Sequence, residues 1–256
     1  MKSSRRWSRE QLKLAFYLYC QLPFGKLHSN NPDVINLAAR IGRTPSAVAM
    51  KLGNFASLDP SITNSGRKGL EGASQLDREV WEEFNADWER LAMEGAALMG
   101  DEAALNSGDS DESVPKDDFT GETRSAVVEQ RIKQGFFRRA VLSGYRGRCC
   151  MSGLDIATLL VASHIIPWSK DKANRLNPRN GLCLSVLHDR AFDQGFITLT
   201  NDLRVLVSRP LRENGNDFTR GIFGPLHGRP IDLPERFGPD QAFLNWHRQE
   251  RFVGGA

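Results

Sequence analysis

The stretch 159–195, LLVASHIIPWSKDKANRLNPRNGLCLSVLHDRAFDQG, decides how the second half of this chain folds. Its first ten residues are a β-branched and apolar run with a histidine near the end, the pattern of a buried strand that delivers His164 to a rim. The polar residues that follow hold two turn signals, Asn177-Pro178 and Asn180-Gly181. LCLSVLHDRAFDQG then predicts a short strand entering a helix, with Ser185 placed to cap it and Gly195 to end it. Strand, loop, strand and helix thus carry His164, Asn180 and His188, at intervals of sixteen and eight residues.

Downstream, FITLTNDLRVLVS (196–208) predicts two alternating strands around Asn201-Asp202, a hairpin that extends the scaffold. Upstream, a helix from residue 122 runs through RIKQGFFRRAVLSGY, with Phe137, Val141 and Tyr145 inward and Arg138 and Arg139 toward solvent or phosphate. Residues 95–120 are rich in Gly, Ser, Asp and Glu. Such a segment buries too little apolar surface to offset the entropy of ordering, so a flexible acidic linker is expected there. Before it, Asp77 is expected to cap one long helix bearing Val80, Trp81, Phe84, Trp88 and Leu91 on a single stripe.

Three shorter helices are predicted at the N-terminus. Ser8 and Gln11 form a capping box ahead of Leu12, Phe16 and Tyr19, and Pro23-Phe24-Gly25 stops the run. Asn31-Pro32 opens a second helix with Val34, Leu37, Ala38 and Ile41 on one face, ended by Gly42. Thr44-Pro45 opens a third almost at once, with Val48, Leu52 and Phe55 inward and Ser46, Lys51 and Asn54 outward. Two helices joined by so tight a turn fit a helix-turn-helix.

The chain has 256 residues, 40% apolar and 25% charged, the length of one large domain or two small ones. Its longest uncharged apolar run falls far short of the ~20 residues of a membrane-spanning helix. MKSSRRWSRE has no apolar core behind its positive charges, so a cytoplasmic protein is expected. Of four cysteines, Cys20, Cys149, Cys150 and Cys183, the only close pair is vicinal, and neither a disulfide scaffold nor structural zinc is expected. Charge is laid out in blocks. Residues 1–70 hold 11 Lys/Arg against three Asp/Glu, 71–120 hold three against 15, and 121–256 hold 20 against 13. Two basic blocks suit a polyanion, because Lys and Arg displace counterions condensed on phosphates; an unevenly charged solvated surface is the other reading.

His164, Asn180 and His188, together with C-x-x-G at Cys150 to Gly153, SHIIPW, NPRNGL, LHDRAFDQGFITL and the C-terminal PERF and FLNWHRQERF, resemble the HNH nucleases of restriction-type endonucleases. The resemblance covers roughly residues 124 to 252. The first fifth of the chain, with Trp7 and GRTPSAVAMKL, resembles the Myb/SANT type of three-helix unit. Together they imply an α+β protein: a helical DNA-binding domain (1–94), an acidic linker (95–120) and a ββα-metal nuclease domain (121–256). The implied activity is divalent-metal-dependent hydrolysis of DNA, leaving a 5′ phosphate and a 3′ hydroxyl, in restriction or defence.

By that resemblance His164 is the general base, suited to it by an unperturbed pKa of ~6.5. Asn180 fixes the loop or orients His164, and His188 is a metal ligand. Ser163 stands where many relatives place a second ligand; a hydroxyl is a weak one, which leaves Mg²⁺ or Mn²⁺ held by His188, water and substrate phosphate, or joined by Asp189 or Asp193. Arg43, Ser46, Met50, Lys51 and Asn54 are the DNA contacts if the N-terminal unit binds DNA; Arg138, Arg139, Arg175, Arg179 and Arg190 are phosphate contacts for the nuclease. His28, His227, His247, Cys150, Cys183 and Trp168 are read as packing residues. Double-stranded DNA is the expected partner, and cutting both strands calls for a homodimer. A binding protein with an inactive ββα unit and an RNA-directed or indiscriminate toxin nuclease are the competing readings.

Overall fold

A computed structural model describes residues 6–100, 121–213 and 216–254. The chain forms two compact units, Met1–Ala140 and Val141–Ala256.

In the first unit, helix α1 (Arg9–Gln21) starts with the expected capping box. Ser8 Oγ accepts from the Gln11 amide and Gln11 Oε1 from the Ser8 amide, both at 3.2 Å. Asn31 and Thr44 cap α2 (Pro32–Arg40) and α3 (Pro45–Leu58), each with proline in the first turn. A short α4 (Pro60–Thr63) follows. The fully buried Phe16 centres the core, its ring 5.1 to 6.5 Å from those of Phe55, Trp81, Trp88 and Phe84.

Four expectations are corrected here. The acidic helix begins at Gln75 and is capped by Ser74, and Asp77 is the third residue of its capping box. It is also two helices, α5 (Gln75–Ala86) and α6 (Trp88–Met99), because Asp87 leaves helical geometry to cap the Arg90 amide. Lys51, expected outward, is buried: its Nζ reaches both Asp77 oxygens, at 2.8 and 3.0 Å, and that pairing is what makes the burial of either charge tolerable. Finally, the linker does not begin at 95. Helix α6 continues to Met99, and a Cβ on Gly95 would lie 2.2 Å from the Tyr17 ring, so this glycine serves close helix packing rather than flexibility. Residues 101–120 lie outside the described residues.

Helix α7 (Gly121–Gly144) crosses the boundary between the units. Its Phe136 packs on Tyr17 and Trp88, and Lys133 pairs with Glu89 and Glu129, so the helical unit extends to Ala140 instead of ending at 94.

In the second unit β1 (Leu160–His164) and β2 (Gly181–Ser185) pair antiparallel, with Leu160 opposite Ser185 and His164 opposite Gly181. Helix α8 (Val186–Asp193), capped by Ser185, packs on both strands. The expected hairpin follows as β3 (Ile197–Leu199) and β4 (Val205–Val207). After two short helices, α9 (Arg209–Glu213) and α10 (Asp217–Phe223), helix α11 (Gln241–Glu250) packs on β3.

His247 of α11 is buried, stacked 3.7 Å from the Phe192 ring, with Nδ1 2.9 Å from Thr198 Oγ1 and Nε2 3.1 Å from the Phe192 carbonyl. Burial lowers its pKa to about 4, aided by Arg251 and Arg248 and opposed by the carbonyl. The folded chain therefore holds this ring neutral while the unfolded chain, at the ordinary ~6.5, takes up a proton. More protons bound in the unfolded state means stability falls as pH drops. Urea unfolding is expected to lose about 2 kcal/mol from this group between pH 7 and pH 5. In His247→Leu that part of the slope should vanish, and an unchanged slope would show that the ring is not held neutral.

Candidate active site

His164 ends β1 with its Nε2 2.8 Å from the carbonyl oxygen of Arg175. A carbonyl only accepts, so Nε2 carries the hydrogen and the ring's lone pair is on Nδ1. Trp168 meets the imidazole edge-on at 5.6 Å, and the Arg175 guanidinium lies 5.2 Å from the Trp168 ring centre. Burial lowers the His164 pKa to about 4 against the opposing effect of the carbonyl, which keeps the imidazole neutral at pH 7.

Asn180 has no exposed surface, and its amide clasps main chain at three points. Oδ1 accepts from the Ile166 amide at 2.8 Å; Nδ2 donates to the carbonyls of Ile166 and Asn174 at 3.1 and 3.3 Å. These bonds hold both ends of the loop 166–174, and the next residue, Arg175, presents the carbonyl that His164 uses. Of the two roles open to Asn180, loop fixation is the one seen.

Sequence reasoning missed Asp171 and Asn174. Asp171 Oδ1 accepts from the amides of Ala173 and Asn174, each at 3.1 Å, and its Oδ2 accepts from Asn174 Nδ2 at 2.8 Å. The signal was available: an aspartate that can accept from the main-chain amides two and three residues on makes an Asx turn, which sequence reading took for generic loop polarity.

His188 lies in the first turn of α8 and is buried. Its Nδ1 is 3.4 Å from Cys149 Sγ, and its ring edge faces Phe223. Burial pushes the Cys149 thiol up, but hydrogen bonds from His188 and Ser152 outweigh it and leave the group lowered to about 6. Cys149 had been passed over in favour of its neighbour Cys150, which instead donates its amide to the Cys183 carbonyl at 2.8 Å.

The donors present do not make a side-chain cage for a cation. Among the described residues no three His, Cys, Asp or Glu side chains converge on one point. Ser163 Oγ is buried without a hydrogen-bond partner and, one residue from His164 on a strand, starts from the opposite face. The Asp193 carboxyl is pushed up to about 6, first by burial and then by Asp189, against Arg251 and Arg190.

The basic residues divide. Arg190 is exposed, whereas Arg175 and Arg179 are half-buried. In the helical unit Lys51 is committed to Asp77, Arg139 donates to the Tyr17 hydroxyl at 3.3 Å, and Arg138 is half-buried. Arg43 packs over Trp7 and bonds to Gln11, Asn54 is half-buried, and Ser46 and Met50 are exposed. No helix among the described residues is long and apolar enough to cross a membrane.

Residues 149–200 match the family described as HNH endonuclease. Among solved structures, a modification dependent TagI restriction endonuclease is similar, with 20% identity over 44% of this chain and a TM-score of 0.34. The match spans 36% of that protein's own chain. No curated protein matches.

Proposed function

From the match of residues 149–200 to the HNH endonucleases, we propose that this chain hydrolyses phosphodiester bonds of double-stranded DNA with His164 as general base. The observation that carries the reading is the 2.8 Å contact between His164 Nε2 and the Arg175 carbonyl. It leaves Nδ1 as the atom that accepts a proton from water as the water oxygen bonds to phosphorus and the bond to the 3′ oxygen breaks. The ring then becomes an imidazolium whose Nε2 proton is already held by that carbonyl. Asn180 and Asp171 keep the carbonyl in place.

HNH nucleases generally use a divalent metal ion, and among the described residues no three His, Cys, Asp or Glu side chains converge to cage one. Mg²⁺ or Mn²⁺ would come with its waters and the substrate phosphate, with His188 and Ser163 as the side-chain donors the motif offers. Supercoiled plasmid is therefore expected to be cut in millimolar Mg²⁺ or Mn²⁺ and to stay intact in EDTA, while the protein without DNA shows no micromolar metal binding by calorimetry. Cutting both strands would take two copies, each with one site. Restriction or defence is the setting that the motif blocks suggest, with the helical unit contacting DNA through Arg43 and Ser46. Ser163, a weak ligand, favours a second reading, a DNA-binding protein with an inactive ββα unit. DNA binding with no cleavage in either metal would assign it.

A further inference from the structure

An open cleft of about 510 Å³ lies between the loop after β1 and the end of α11, lined by Ile166, Lys170, Asp171, Trp246, Glu250 and Arg251. Its volume is that of a small-molecule site, and Lys170, Trp246, Glu250 and Arg251 have no role in the chemistry above.

Both walls are fastened. On one side Asn180 holds Ile166 by both its amide and its carbonyl. On the other, His247 pins α11 to Thr198 and Phe192, and the Val253 amide donates to the Gly195 carbonyl at 2.8 Å. Gly195, with φ +74°, brings its backbone so close to Arg251 that a Cβ would sit 1.9 Å from the Arg251 carbonyl oxygen. The cleft is thus preformed, and it begins two residues from His164, at most about 7 Å of chain. That is the distance of one or two nucleotides from the phosphate His164 would serve.

The lining has the composition that holds an unstacked nucleotide: a partly exposed indole for the base and two exposed cations for phosphate. Asp171 is occupied by its own loop, which leaves Glu250 as an acceptor for a base amino group. We propose that this cleft is a nucleotide subsite flanking the scissile phosphate, with a base stacked on Trp246 and its phosphate between Lys170 and Arg251. The proposal rests on the nuclease reading for its place beside the cut, and its binding component can be tested without it.

The probe is a fluorescein-labelled 12-nucleotide single strand, titrated by anisotropy into the full chain in EDTA, with a duplex of the same sequence for cleavage. Trp246→Ala is expected to weaken binding about tenfold and to raise KM with little change in kcat, whereas Trp246→Phe, which keeps a stacking face, stays within about threefold. Lys170→Ala with Arg251→Ala should also cost about tenfold and flatten the salt dependence by close to two counterions. If Trp246→Ala and the double variant, folded by circular dichroism, bind within twofold of the parent, the subsite is wrong even when the parent cuts DNA. Trp246-dependent binding by a chain that cuts nothing would keep the subsite and overturn the nuclease reading.

Discussion

His164→Ala is expected to lower plasmid cleavage by about 10³-fold while leaving DNA binding and folding nearly intact. General-base assistance by a positioned side chain is worth roughly 10²–10⁴ in rate, and His164 is the titratable group held by the Arg175 carbonyl. The cost to stability is small because the ring is half-buried and its hydrogen bond to the Arg175 carbonyl is worth about 1 kcal/mol. Cleavage assays at saturating DNA, with thermal melting alongside, separate the two effects. A variant that cuts within tenfold of the parent would move the base elsewhere. One that loses activity and melting temperature together would make His164 a packing residue.

Asn180→Asp should produce the combined loss that His164→Ala does not. The substitution preserves shape and the acceptor toward Ile166, but it turns the Nδ2 donor into an oxygen facing two carbonyls, at 3.1 and 3.3 Å, with no exposed surface. An uncompensated charge or an unwanted proton at such a point costs about 3 kcal/mol. The loop 166–174 would loosen, and with it the carbonyl that sets the His164 tautomer, so kcat is expected to fall about 10²-fold. Urea unfolding and single-turnover cleavage report both quantities. Full activity in a destabilised Asn180→Asp would uncouple loop fixation from the chemistry, whereas equal losses in Asn180→Asp and Asp171→Ala would place both residues in one positioning network.

Much of this was legible in the chain. The strand, turn, strand and helix around His164, Asn180 and His188 appear where periodicity and the Ser185 cap put them, and the capping box at Ser8 formed as read. The misreadings share a cause. Lys51 looked solvated because of its charge, although helical spacing puts it within about 60° of Val48; its burial depends on Asp77, 26 residues away. Gly95 looked like the start of a flexible segment, yet it is the point where α6 meets Tyr17. Asp87 falls inside the single helix expected there and instead breaks it.

By itself the sequence determined the order of the elements that carry His164, Asn180 and His188, since caps, turns and hydrophobic period act over only a few residues. Tertiary structure alone decided the tautomer of His164, the contact between His188 and Cys149, and the cleft beside Ile166. Each depends on a main-chain carbonyl or a side chain brought in from a distant element, and such partners exist only once the core has packed.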